Sequence, residues 1–457
     1  MSTRKLQMPA WGFGVNIVGL ALLFSLFTPL PSLAGADLLQ VYELAKTNDP
    51  AFARIEYLNR ATGETKRQAL AGFLPTLMAE AEYIDTSQDI VSSDNTVFDS
   101  GTSDYDTTTY TISLVQPIFN YSTWKRWDQS KAEVAQSAME YEVAKQDLMM
   151  RSAEVYFEAL VAVDNLDFAK SEVASIALNN KAAEKRFSAG LATVTDLYDS
   201  RARLSTSTAR VTDAENILDD SLRGVEEITG QYFYDLVPCK PGRTLNSPAP
   251  LDEEEWVQRA LQQNPSILMK RQEVEIASYE VKRQRAGHYP TVDLIGRFNN
   301  RDTDGSLFGG GSDVDTTEVL LTAKVPLYQG GYVSSRTREA KYLLKAARRE
   351  LTREERAVER QVRRAYQGVL GSIRRVEALA KAVEAQELTL KAKHKGFKSG
   401  LLTGIAVLDA ERDLYFIRLD YATARYDYLR NSLRLKQGAG ILQEQDLVTM
   451  NDWFSAL

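Results

Sequence analysis

The chain of 457 residues holds one cysteine, Cys239, and two histidines, His288 and His394, that stand far apart. A single thiol excludes an internal disulfide. Two distant imidazoles give little support to a His-based metal centre or a Ser-His-Asp triad. The glycine triplet Gly309–Gly311 is not followed by Lys-Ser or Lys-Thr, so it reads as loop flexibility and not as a phosphate-binding loop. Basic charge is not in excess either: the net charge is −7, which gives no reason to expect a nucleic-acid partner. No catalytic constellation emerges and no cofactor is expected. After the first 36 residues, no apolar run reaches the roughly 20 residues that a membrane-spanning helix needs.

What the sequence does contain begins with a targeting pattern. Arg4 and Lys5 precede an apolar run, Val15–Phe27, which is followed by "PLPSLAGA". A basic start, a short apolar stretch and small residues near a cleavage position read as a secretory signal ending at Ala34 or Ala36. An anchor helix would need a longer run. The mature chain is therefore expected to be exported.

From there the chain is written twice. "DLLQVYELAKTNDPAF" at Asp37 is matched by "DEEEWVQRALQQNPSIL" at Asp252, and "FLPTLMAEAEY" at Phe73 by "HYPTVDLIGRF" at His288. "LVQPIFNYSTW" at Leu114 is matched by "AKVPLYQGGYV" at Ala323, and "RFSAGLATVTDLYDSRA" at Arg186 by "GFKSGLLTGIAVLDAER" at Gly396. Four matches in one order indicate a tandem duplication. Residues 37–236 and 252–457 form the copies, and a proline-rich join at 237–251 separates them. Each copy opens with Asp followed three residues later by Gln40 or Glu255, a helix-start pattern, and soon meets an Asx-Pro helix stop at Asp49-Pro50 or Asn264-Pro265.

The period then changes to two. Leu77, Ala79, Ala81 and Tyr83 alternate with Glu80 and Glu82, and Tyr110, Ile112 and Leu114 alternate with Thr109, Thr111 and Ser113. In the second copy Val292, Leu294 and Phe298 oppose Thr291, Asp293 and Arg297, while Val319, Leu321 and Ala323 oppose Glu318, Thr322 and Lys324. These are strands with one apolar and one polar face, forming hairpins at about 75–118 and 290–327 with polar loops of about 20 residues. The first loop and its strands carry no Lys or Arg between Arg67 and Lys125.

Proline is absent from about Thr123 to Phe187 and from about Val333 to Phe397. There Val134, Tyr141, Leu148, Val155, Ala162, Ala169 and Ile176, and again Val362, Val369, Val376, Val383, Leu390 and Phe397, recur every seven positions, the spacing of coiled-coil packing. Roughly 65 helical residues at 1.5 Å each make a rod of about 100 Å.

Four strands cannot close a barrel, and open edges are prohibitive in lipid, where nothing else satisfies the backbone. Closure is expected from three copies, giving about twelve strands, an even number that suits an outer-membrane barrel. The fold class expected is α+β, mainly α. A trimeric outer-membrane β-barrel with four strands per chain would continue into a periplasmic α-barrel of long coiled-coil helices. A periplasmic coiled-coil adaptor or scaffold without a pore is the alternative; the alternating strands, which a scaffold does not need, discriminate against it. Trp124 and Trp127 follow a strand exit, where lipid-interface and helix-packing roles are both open.

These residues resemble the TolC family of outer-membrane efflux channels across essentially the whole mature chain. The telling pieces are "VPLYQGGYVSS" at Val325, "QPIF" at Gln116, the two stretches at Arg186 and Gly396, and "GAGILQEQDL" near the C-terminus. The resemblance implies a homotrimer in outer-membrane lipid, docked to a periplasmic adaptor and an inner-membrane transporter, acting as a passive exit duct for drugs, toxins or secreted proteins and not as an enzyme. It also implies that the stretches at Arg186 and Gly396 are turns between tunnel helices at a periplasmic aperture. Gly190 and Gly400 would end the long helices, Thr193 and Thr403 would start the next, and Thr195 lies beside the first start. Gly330 and Gly331 stand where a strand becomes a helix. The family's second turn carries two Asp three residues apart facing the pore; here the later one is Asp409 and the earlier position is Ala406. Its locking Arg and Tyr correspond to Leu402 and Phe397, while their acidic partner survives as Asp196. Three symmetry-related Asp409 carboxylates would form a weak cation ring, and Asp196 would help hold the aperture shut.

Overall fold

The computed structural model describes residues 35–92, 101–240, 243–306 and 310–454. The expected signal segment, apart from its last two residues, lies outside the described residues. Asp37 caps α1 (Leu38–Asn48) with a full capping box: its side chain accepts from the Gln40 amide, and Gln40 reciprocates. Asp49 then closes α1 and at once caps α2 (Pro50–Ala71), with Pro50 in the first turn. The Asx-Pro pair is thus a start as well as a stop, because proline has no N–H to lose at the first helical position. Asn264 does the same between α5 (Glu253–Gln263) and α6 (Pro265–Arg285).

After α2 come β1 (Thr76–Ile90) and β2 (Gly101–Asn120); after α6, a single 3₁₀ turn leads to β3 (Thr291–Thr303) and β4 (Ser312–Lys324). The four form one antiparallel sheet in the order β1-β2-β3-β4. The strands extend well into the segments expected as loops: Ile90 pairs with Gly101, and Thr303 with Ser312. The polar sequence there supports pairing by cross-strand hydrogen bonds, such as Thr107 to Thr303 at 3.1 Å and Ser87 to Asp104 at 2.6 Å. The register places Leu77, Tyr83, Tyr110, Phe298, Val319 and Leu321 on one face, where Leu77 is 73% and Val319 78% exposed. Glu80, Glu82, Thr109, Thr111, Arg297 and Glu318 share the other face.

From the sheet run α3 (Tyr121–Ser188, 68 residues) and α7 (Tyr332–Lys398, 67 residues), each about 100 Å long. α4 (Val194–Thr229) and α8 (Gly404–Gly438) return alongside them, and α9 (Glu444–Asn451) closes the chain. Gly330 and Gly331, at φ +58 and +80, turn the chain into α7. Trp124 is half exposed and meets Phe73 edge-on at 5.6 Å, whereas Trp127 lies under Lys66 and Lys131.

The main core sits where both copies meet at mid-length. Tyr42, Leu148, Tyr156, Phe157, Trp256, Val362, Tyr366, Leu429 and Leu433 are buried together there. Burying each such side chain contributes about 1.5–3 kcal/mol. Toward the far end of the helices the apolar core shrinks to Leu166, Ala169, Ala214 and Tyr415, and polar contacts take over.

Candidate functional site

The far end of the helical bundle is built from two turns of like construction. α3 ends at Ser188 and Gly190 follows at φ +73; α7 ends at Lys398 and Gly400 follows at φ +77. A left-handed residue here lets amides beyond the helix reach carbonyls of its last turn, Leu191 N to Arg186 O and Leu401 N to Gly396 O, both 2.8 Å. Glycine adopts that conformation without a Cβ penalty. Thr193 then caps α4, accepting from the Asp196 amide, and Thr403 caps α8, accepting from the Ala406 amide.

The turns close on each other around a cavity of about 220 Å³. Leu191, Phe397, Leu402 and Leu408 give it apolar walls, and Arg186, Asp196 and Asp199 give it charge. The Arg186 guanidinium stacks 5.0 Å over the Phe397 ring, joining one turn to the other by a cation–π contact. Leu402 lies over Gly396 so tightly that a Cβ there would meet it at 2.8 Å.

The acidic residues have separate fates. Asp196 is occupied within its own turn: Oδ2 accepts from the Thr193 hydroxyl at 2.8 Å and from the Thr193 amide at 3.1 Å. The hydroxyl bond first, then the amide, holds this carboxyl below its usual range. Asp409 does not border the cavity; its carboxylate accepts from Arg203 Nη1 at 2.9 Å. Arg203 Nε also reaches Asp199 at 3.1 Å, so one guanidinium on α4 spans both carboxylates. Burial opposes the Arg203 charge, but the bonds from Asp199 and Asp409 outweigh it and raise the guanidinium pKa. Thr195 is exposed in the first turn of α4 and stands apart from this cavity. The cavity therefore brings together Asp196, Phe397, Leu402 and Thr403.

Arg186 and Arg203 are the site members that sequence reasoning missed. Arg186 opens the repeated stretch itself and could have been noticed there. Arg203 has no such signal, since its partner Asp409 is 206 residues away. Among the described residues, no group of three or more His, Cys, Asp or Glu converges as a metal would require, and no helix is long and apolar enough to cross a membrane.

A four-stranded sheet with an exposed apolar face, set on paired helices about 100 Å long that narrow to matched turns, defines a channel-wall protein. The chain belongs to the outer membrane efflux protein family, which it matches over residues 41–231 and 256–440. It is 30% identical to outer membrane protein TolC of Vibrio cholerae serotype O1 over 417 residues, spanning 91% of this chain and 93% of that protein. It is 28% identical over 440 residues to the proteases secretion protein PrtF of Dickeya chrysanthemi, spanning 94% and 95% of the two chains. The fold superposes on the Campylobacter jejuni CmeC outer membrane channel with a TM-score of 0.78 at 14% identity, over 91% of this chain and 89% of that one. The family is one of channels and transport, and its place is the outer membrane.

Proposed function

We propose that three copies of this chain close a common barrel and tunnel, forming the passive exit duct of an efflux or secretion system. The observation that carries this reading is the sheet itself. Four strands leave β1 and β4 as free edges, and an exposed apolar face suited to lipid runs along that incomplete wall. Energy would come from an inner-membrane transporter, reached through a periplasmic adaptor that meets the helical bundle. The secretion role named for PrtF and the efflux role named for the family are both compatible with a wide, water-filled lumen.

The paired turns act as the aperture of this duct, with six turns around one mouth in a three-copy ring. Arg203 holds Asp409 against α4, and Arg186 holds Phe397. This intrachain network takes the place of the Arg and Tyr that the resemblance led one to expect at Leu402 and Phe397. Asp196 supports the turn by completing the capping box with Thr193, and Asp409 reaches the pore as a free carboxylate only when Arg203 lets go.

Fractionation and planar-bilayer recording test the reading together. The expected product is a detergent-requiring, heat-modifiable trimer in the outer membrane that conducts ions. A water-soluble periplasmic monomer would overturn it and favour a coiled-coil scaffold.

A further inference from the structure

The two copies keep a constant offset through the long helices. Gly190 and Gly400 follow α3 and α7, Gly230 and Gly440 follow α4 and α8, and each pair stands 210 residues apart with left-handed backbone. Tyr156 and Tyr366 keep the same offset, and both hydroxyls donate to carbonyls of the join between the copies, those of Val237 and Leu251. Each position on one helix pair therefore has a counterpart on the other.

Within the chain, α8 packs along α3. Glu411 accepts from Ser175 at 2.5 Å and from Asn179 at 3.2 Å, the Tyr426 hydroxyl donates to Asp164 at 3.0 Å, and Arg434 meets Glu154 at 2.6 Å. Along that seam Leu408, Glu411, Tyr415, Ala422 and Tyr426 of α8 are all buried. Their counterparts on α4 are Tyr198, Arg201, Ser205, Thr212 and Asn216, and every one of them is exposed. The α3 side is matched on α7 in the same way. Glu154, Asp164, Ser175 and Asn179 correspond to Arg364, Arg374, Ala385 and Thr389, all exposed. The chain thus makes one seam and carries the two halves of a second, which its own α7 and α4 do not close.

The charges on the two seams are swapped. In the seam that is made, α3 is acidic and α8 basic: Glu154 meets Arg434, Arg430 lies 4.0 Å from Glu158, and Arg425 acts on Asp164 through space. In the unmade one α7 is basic, with Arg364 and Arg374, and α4 is acidic, with Glu215 and Asp220 standing for Arg425 and Arg430. Glycines take the remaining places, Gly368 for Glu158 and Gly224 for Arg434. Arg374 reaches only the Leu370 carbonyl of its own helix, at 3.4 Å, while Arg364, Glu215 and Asp220 are exposed and have no partner among the described residues.

We propose that α7 of one copy packs along α4 of the next in the register that α3 keeps with α8, setting Arg374 against the neighbour's Glu215 and laying Arg364 over its Gly224. This rests on the three-copy reading above and adds to it which faces meet and why. Partly exposed ion pairs give order more than affinity. An α4 laid along a neighbour's α3 would set Glu215 and Asp220 against Asp164 and Glu158, so the swap fixes the alternation of first and second copies round the ring.

The contact between Glu411 and Ser175 has Arg201 and Ala385 as its counterparts, and these supply the assay. In full-length protein carrying Cys239→Ser, Arg201→Cys and Ala385→Cys, a short bis-maleimide is expected to link chains into dimers and trimers on denaturing gels. Light scattering in detergent reads assembly of the same protein separately. A trimer whose chains stay unlinked would overturn the seam and leave the three-copy reading standing; a monomeric parent would remove both. The charges are tested without cysteines. Arg374→Glu should raise the monomer fraction about threefold or more, and adding Glu215→Arg should return it towards the parent value. A single variant that assembles like the parent, or a double variant no better than the single, would overturn the assigned pairing. Should Arg374→Glu fail to fold, Glu215→Arg alone is read by the same criteria.

Discussion

At Asp409 a carboxylate that could face a pore is instead engaged by Arg203, at 2.9 Å and with both side chains partly exposed. Such a pair contributes about 0.2–1 kcal/mol, less at high salt, weak enough to break in the opening proposed above. Arg203→Ala is expected to leave folding nearly unchanged and to raise conductance of the reconstituted channel several-fold. Asp409→Ala should open it similarly but also weaken block by divalent cations. Equal conductance and equal block in all three proteins, measured in planar bilayers, would remove Arg203 and Asp409 from the aperture. Asp196 carries a different expectation. Because its bonds run to Thr193, its loss should remove one half of the capping box and loosen the start of α4, read as increased amide exchange there.

Among the elements, one carboxylate of α9 reaches both α1 and α3, beside the Asn451 hydrogen bonds to Leu39 and Asp37 at the start of α1. Glu444 accepts from Lys46 at 3.0 Å, from the Tyr42 hydroxyl at 3.0 Å and pairs with Lys145 at 3.1 Å. The Lys46 bond most of all, with burial opposing and Lys145 and Tyr42 adding, lowers its pKa from 4.5 to about 2. A depressed carboxylate stabilises the fold fully above its ordinary value and loses that contribution as pH falls through its folded value. Melting temperature should therefore fall between pH 4.5 and about 2 partly through this group. Glu444→Gln should lower stability at pH 7 by about 1 kcal/mol, allowing for its partial exposure, and should flatten the acid limb measured by circular dichroism. An acid limb of unchanged slope would show that Glu444 contributes nothing to the anchoring of α9.

For the whole molecule, the exposed face of the sheet decides where it can reside. Val319 stands 78% exposed on the apolar face, beside Leu321 at 70%. Val319→Arg is expected to cost about 2–4 kcal/mol at the bilayer midplane and to reduce the folded, heat-modifiable form in outer-membrane fractions. Glu318→Arg, one residue away on the polar face, should be tolerated far better. Equal loss from both would argue against a lipid-facing role for the apolar side.

How much was legible in the sequence follows how local each feature is. The glycine-threonine turns at Gly190 and Gly400 and the period-two strands could be read, because left-handed backbone, helix caps and alternation are written in neighbouring residues. Asp49-Pro50 was half legible: the stop was plain, but the new helix it caps was not. The extended strand tips near Ile90 and Thr303 looked like loops, since Asp, Ser and Thr favour turns until a partner strand offers them pairing.

By itself the sequence determined the duplication, the element types and the amphipathic faces, all of which rest on short-range periodicity. Only the tertiary structure decided which charges meet. Arg203 with Asp409 and Arg186 with Phe397 lie on different helices, and their contacts depend on the relative rotation and register of packed rods. A rod about 100 Å long can slide or turn by one residue without changing its own pattern, so those contacts are set by packing and not by the local sequence.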